Sequence, residues 1–478
     1  MSSRTGVHIR AIARISDTEK EAAVVPPKSI EGEEIPEAGA APPTKEGENP
    51  GVREREMARE PNPVKRFLKA LGPGLITGAS DDDPSGIGTY SAAGASLGYS
   101  ILWTSLFTFP MTASVQYICA KVGMVTGMGL AGVLKRHYPR QILYPAVIAL
   151  MIGNIINIGA DIGAIAAGVN LVVPLPAVAL VLPITLIIMS LLVVGSYRLI
   201  ANIFKWLCLA LFAYVAAAFL SKPDWAQVLQ GTFVPKITFD ASYLALLVAI
   251  LGTTISPYLF FWQSSQEVEE KVAIGQRTLR LRKGTTDNEL KYAGWDIEVG
   301  MLFSNVVSYF IILAAAATLN AAGQTDVKSA ADAALALGPL AGNWATILFA
   351  LGMIGSGLLA VPVLAGSSAY AISEAFGWKL GLEQKATRAW EFYLVIFASM
   401  VIGAEINYLG INPIDALVWS AVINGVLAVP LLVLIMLVAN NRDVMGTRVN
   451  GIWSNLLGWV ATLAMAAAAV GLFVTWGK

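Results

Sequence analysis

Residues 78–88 read Gly78-Ala79-Ser80-Asp81-Asp82-Asp83-Pro84-Ser85-Gly86-Ile87-Gly88: three carboxylates and a proline inside an otherwise apolar run. Carboxylates at membrane depth are expensive unless they face a cavity, a partner or an ion. Pro84 removes a backbone donor and clashes with the preceding turn, and Gly86 and Gly88 loosen the chain. The stretch therefore predicts an unwound segment with carbonyls free to coordinate. A loop between two short helices, with aspartates capping the second, is the other reading; Leu71–Ala79 alone is too short to span. A second stretch has the same character: Gly252-Thr253-Thr254-Ile255-Ser256-Pro257-Tyr258.

Outward from these two breaks the chain is strongly apolar. Of 478 residues, 55% are hydrophobic and 14% charged, against roughly 25% charged in soluble proteins. Residues 1–66 hold 12 acidic and 11 basic side chains, which leaves 21 acidic and 22 basic for the other 412 residues. A body so poor in charge predicts an all-α polytopic membrane protein. Eleven apolar runs of spanning length follow one another: 67–98, 100–126, 142–172, 175–196, 199–221, 240–265, 293–321, 344–375, 389–409, 413–438 and 453–476. The breaks fall in the first and sixth of them, at matching places in spans 1–5 and 6–10. That is the pattern of an inverted-repeat transporter with its site at the midplane. The domain reading is a disordered cytoplasmic tail (1–62) and a membrane domain (63–478). Within the latter lie repeats 67–221 and 240–438 and an extra helix 453–476.

Sixteen lysines and arginines, from Lys135 to Arg448, fall in loops on the side of the N-terminus, against Lys222, Lys236 and Lys328 on the other. The positive-inside rule then predicts a cytoplasmic N-terminus, and the plasma membrane is the expected location. The loop 266–292 reads as a solvated helical connector. The tail is rich in Glu, Pro, Ala and Gly and cannot bury enough apolar area to order itself. A net charge of zero gives no field for nucleic acid. Cys119 and Cys208 lie in apolar runs and read as buried filler, and no nucleophile–base pair or phosphate loop suggests an enzyme or a cofactor. Neither histidine, His8 nor His137, lies in a span.

Gly72-Pro73-Gly74 with Asp83-Pro84-Ser85-Gly86 resembles the first helix of NRAMP divalent-metal transporters, whose motif there is DPGN. Val115-Gln116-Tyr117-Ile118-Cys119-Ala120-Lys121-Val122-Gly123 resembles their second helix, and Gly252 to Pro257 their sixth. The likeness covers roughly residues 67–439 and implies a LeuT-like inverted repeat of five plus five helices. It also implies a metal set: Asp83 matches the family's ligand aspartate and Thr253 the position that offers a backbone carbonyl. Gly86 stands where the family has asparagine, Ser256 where it has methionine, and Tyr258 and Gln263 where it has histidines. Asp161 matches a glutamate associated with proton transfer.

These departures have a chemical direction. A methionine thioether favours transition metals, whereas a serine hydroxyl is a hard oxygen. Losing an asparagine to Gly86 suggests room for water, and Asp81 and Asp82 add acceptors. Magnesium prefers oxygen ligands and keeps water. The resemblance is therefore strongest to the NRAMP-related magnesium transporters. The expected activity is import of Mg2+, with Mn2+ also carried, by alternating access and with little or no proton coupling, since no span holds a histidine relay. Asp81, Asp82, Asp161, Gln263 and Asn424 are candidates for the pathway or a proton relay. The expected partners are the divalent ion and the lipid bilayer, with the chain a monomer. Three alternatives stand beside this: a proton-coupled manganese or iron transporter, a sodium-coupled symporter of a small organic cation or amine, and a metal-sensing receptor. Asn154 and Asn157, at helical spacing from Asp161, read equally as interhelical hydrogen bonds.

Overall fold

Prolines and glycines set the helix boundaries. In the computed structural model, residues 61–62, 72–194, 209–382 and 384–475 are described. The chain divides into two units, Met1–Pro43 and Thr44–Lys478, and all described residues belong to the second. The predicted tail thus lies almost wholly outside the described residues, as do Cys208 and the start of the fifth run.

The first run is two helices, α1 (Pro73–Asp81) and α2 (Pro84–Leu97), each begun by a proline at its first position. There the missing N–H costs nothing and the fixed φ suits a helix. α3 (Trp103–Thr126) ends at Gly127 with φ +68 and bends by 62° into α4 (Leu130–His137). α5 (Arg140–Val172), α6 (Ala177–Val194), α7 (Ala213–Leu220) and the short α8 (Trp225–Phe233) complete the first half. The sixth run is again two helices, α9 (Ala241–Thr254) and α10 (Pro257–Ala273), with Ser256 between them as N-cap. Then follow α11 (Asp287–Ala315), α12 (Ala345–Phe376), α13 (Trp390–Glu405), α14 (Pro413–Asn440) and α15 (Ile452–Thr475).

Among the described residues seven spans are long and apolar enough to cross a membrane, α9 with α10 counting as one, and α3 with α4 makes an eighth. The eleven runs include these. The first run is too broken to qualify, and α6 and α7 are shorter apolar helices. One expectation changes. Residues 266–292 are not simply a solvated connector, because α10 carries on to Ala273 and α11 starts at Asp287. Lys271 is buried there, its ammonium donating to the carbonyls of Met124 (2.6 Å), Arg282 (3.0 Å) and Gly284 (2.6 Å). Three acceptors at one cation explain why a charge can sit inside.

The packing repeats itself with inverted partners. α1 of the first span lies on α11 of the seventh, and α10 of the sixth lies on α3 of the second; α5 and α12, the third and eighth, pack on each other. Both of the first two contacts are backbone-close, as small residues permit between membrane helices. A Cβ on Gly78 would sit 2.1 Å from the Gly300 carbonyl oxygen, and one on Gly123 would sit 2.3 Å from that of Ser264.

The N-terminal end of α1 is fastened by a residue with no local signal in the sequence. Asp296 of α11 is fully buried. Its carboxylate accepts from the backbone N–H groups of Gly72 (2.8 Å), Gly74 (2.8 Å) and Leu75 (2.9 Å). It supplies the cap that Gly72 cannot, with a negative charge at the positive end of the helix. Asp296→Ala strands three donors at about 1–3 kcal/mol each. The thermal midpoint of the solubilised protein is therefore expected to fall by many degrees, and by less in Asp296→Asn, which keeps one acceptor oxygen. Equal midpoints for wild type and Asp296→Ala would rule this clamp out.

Candidate metal site

Asp81, Asp82 and Asp83 are all buried at the break between α1 and α2, and they diverge. Asp83 is the N-cap of α2. Its Oδ1 accepts from the Gly86 N–H at 2.7 Å and its Oδ2 from the Asn157 amide of α5 at 2.9 Å. Each carboxylate oxygen has more than one lone pair, so both retain capacity for a cation. Asp81 and Asp82 turn toward α11, where the Ser304 hydroxyl lies 2.6 Å from Asp81 Oδ2 and 3.1 Å from Asp82 Oδ1. Asp161 of α5 accepts from the Ser85 N–H at 3.2 Å, one residue beyond the proline. Two acidic groups thus meet the first turn of α2, where the helix dipole favours negative charge.

The second break faces the first. Thr253 approaches Gly86: a Cβ built on Gly86 would stand 3.1 Å from Thr253 Oγ1, 3.2 Å from the Tyr90 ring and 3.5 Å from Asp83 Oδ1. The water-sized space expected beside Asp83 from the loss of a side chain at Gly86 is therefore largely taken by Thr253 and Tyr90. Ser256 donates to the carbonyls of Gly252 (3.0 Å) and Thr253. The Thr253 carbonyl is thereby capped by the very hydroxyl expected beside it. The Tyr258 hydroxyl donates to the Ser80 carbonyl at 2.8 Å, joining the two breaks directly, and Tyr90 and Thr254 hydroxyls meet at 3.0 Å.

Several oxygens here have no hydrogen-bond partner though they are buried: Asp81 Oδ1, Asp82 Oδ2, Asn157 Oδ1, Asp161 Oδ2 and Thr253 Oγ1. An unmet buried polar atom costs about 1–3 kcal/mol, so five around one break mark a place built to receive something electropositive. Among the described residues no three His, Cys, Asp or Glu side chains converge as a metal-binding cluster. A cation held here takes one or two carboxylates, with neutral oxygens for the rest.

Two candidates lie apart from this arrangement. Gln263 sits lower on α10. Its carbonyl accepts from the Thr77 hydroxyl of α1, and its amide donates to Glu267 at 2.9 Å. Asn424 of α14 is buried with its Oδ1 against Gly153 of α5, about one turn before Asn157. Ser304 and Asn157 join the site from α11 and α5. Asn157 had a signal in its spacing from Asp161; Ser304 had none.

Two discontinuous helices, matched contacts through the inverted halves and a buried acidic break together define a multi-pass membrane protein of the LeuT-like fold. The natural resistance-associated macrophage protein-like (Nramp) family model matches residues 74–475, and the chain belongs to that family. The chain is similar to a crystal structure of the Eremococcus coleocola manganese transporter in complex with an aromatic bis-isothiourea substituted compound. The two share 19% identity with a TM-score of 0.66, over 88% of this chain and 90% of that one. It also resembles Mhp1, a nucleobase-cation-symport-1 family transporter in a closed conformation, at 12% identity and a TM-score of 0.52, over 84% and 91% of the two chains.

Proposed function

We propose that the protein carries divalent metal cations across the plasma membrane by alternating access, magnesium first and manganese with it. Asp83 is the charged ligand, and Thr253, Ser256 and ordered water complete the shell. The observation that carries this reading is the buried carboxylate of Asp83 at the break, with unpartnered oxygens of Asn157, Asp161 and Thr253 on the elements that meet it. Oxygen-only sites suit hard cations and separate magnesium from manganese poorly. Membership of the family and likeness to a manganese transporter support the cargo class.

The energetics need no co-transported proton. Two charges moving inward through 100 mV gain about 4.6 kcal/mol. No imidazole lies in a span to relay protons, and Asp161 is tied to the Ser85 N–H. The test is flux into liposomes of magnesium, manganese and calcium. Magnesium is expected to enter, and to compete with manganese, without acidifying the lumen. Absence of magnesium flux would sink the metal assignment, and acidification in step with flux would sink the uncoupled one.

Ser256 sets the softness of the site. Ser256→Met replaces a hydroxyl by a thioether at the second break and frees the Thr253 carbonyl from its donor. The ratio of manganese to magnesium flux is expected to rise by about tenfold, the worth of roughly 1.4 kcal/mol. Competition assays read the ratio directly; an unchanged ratio means that residue 256 does not touch the ion.

A further inference from the structure

A cavity of about 960 Å3 opens at the ends of α4, α10 and α12, on the face that carries the basic loops. This volume is in the range of pockets that take small organic ligands, roughly 300–1,000 Å3. Its walls hold five cations, Lys135, Arg136, Arg277, Arg282 and Arg388, against two carboxylates, Glu269 and Glu374. Glu374 is already employed, since its oxygens accept from the backbone N–H groups of Gly129 (2.8 Å) and Gly132 (2.9 Å). Lys135, Arg136, Arg277 and Arg388 form no ion pair among the described residues. Five cations against two carboxylates leave a local excess of positive charge, and like charges held close repel one another, so the cavity favours an anion.

Two further observations point inward. Ser373, at the end of α12, lines the cavity, and its buried hydroxyl has no hydrogen-bond partner. Arg282 is pre-positioned, its Nε donating to the Gly127 carbonyl at 3.0 Å. None of Asp81, Asp82, Asp83, Thr253 or Ser256 lines this space, and its positive excess repels a divalent cation. The cavity is thus not a second seat for the cargo.

We propose that this cavity binds a phosphate-bearing anion, held by the guanidinium groups of Arg136, Arg282 and Arg388, the Lys135 ammonium and the Ser373 hydroxyl. Guanidinium forks match phosphate oxygens two at a time, and a hydroxyl donates to a third. The phosphate can come from a soluble polyphosphate or from an anionic lipid headgroup at the membrane surface. In either case the ligand fastens the end of α10, the second half of the broken sixth span, to α12.

The experiment uses the full chain in nanodiscs of phosphatidylcholine alone and in discs that also contain phosphatidylglycerol. Calorimetry measures binding of tripolyphosphate and ATP to the first, and thermal melting compares the two kinds of disc. The variants are Arg136→Gln with Arg388→Gln, and Lys236→Gln as a charge control remote from the cavity. Polyphosphate binding that weakens by about tenfold or more in the double variant, and not in the control, supports a soluble ligand. A higher midpoint in phosphatidylglycerol discs that the double variant loses, without polyphosphate binding, supports the lipid source. If the double variant does not fold, Arg388→Gln alone, in the exposed loop after α12, serves in its place. Absence of both effects overturns the proposal, and so does binding that the arginine variants leave intact.

Discussion

Asp83→Ala abolishes divalent-cation flux into liposomes, by two to three orders of magnitude for magnesium and manganese alike. The expected size follows from removing one partner of a buried ion pair, about 3–5 kcal/mol, at tenfold for each 1.4 kcal/mol. Alanine also strips the cap from α2, worth roughly 0.5–2 kcal/mol of stability, so the alanine variant alone mixes two effects. Asp83→Asn separates them. Its amide oxygen still accepts from the Gly86 N–H, and the Asn157 amide, whose Oδ1 is unpartnered, can turn to accept from the new NH2, so the thermal midpoint stays near wild type while flux is lost to a similar degree. Asp82→Asn, whose carboxylate turns toward Ser304 of α11, is expected to cost less than a tenth as much. Flux that survives in Asp83→Asn, in protein of normal stability, would show that the ion is held elsewhere.

Gly78→Val prevents accumulation of folded protein. The added Cβ would stand 2.1 Å from the Gly300 oxygen and 2.2 Å from its carbon, backbone atoms of a helix that has no side chain there to swing away. α1 cannot retreat as a body either, since Asp296 pins its first turn to the same helix. Overpacking in a core typically costs about 1–3 kcal/mol, and a branched side chain pressed on backbone exceeds that. Gly338→Ala is the matched control: its Cβ meets nothing within 4 Å and its φ is −50. Size-exclusion profiles of the two variants after the same purification decide the point. A sharp peak for Gly78→Val at wild-type yield would mean that α1 and α11 are not packed this way.

What could be read from the sequence was local. Pro84 and Pro257 each stop a helix by a rule that needs only their neighbours, so both breaks were visible, and the eleven apolar runs followed from length and hydropathy. The partners of the aspartates were not visible. Ser304 lies 223 residues from Asp81, and Asp296 lies 224 from Gly72; nothing local in either marks it as a partner. Gln263 was grouped with Tyr258 because a likeness placed them together. Five residues along a helix at 3.6 per turn put it lower and rotated, beside Thr77. The space beside Gly86 is smaller than its missing side chain suggests, for a related reason. A missing side chain leaves a void only if no neighbour fills it, and Thr253 and Tyr90 lie close against this one. The buried Lys271 shows the same limit, since its three carbonyl acceptors come from two separate segments.

The bond chain from Thr77 through Gln263 to Glu267 has a consequence for how the molecule cycles. Its first bond joins α1 to α10, its second lies within α10, and both involve side chains alone. Each such bond contributes only about 0.5–1.5 kcal/mol net, because water takes the place of the lost partner. Parting the two helices therefore exposes groups that rehydrate at once, with little enthalpic penalty and no backbone to unwind. On the alternating-access reading proposed above, the Thr77–Gln263 bond is a weak latch between α1 and α10, one that thermal motion can lift and that closes again in the same register.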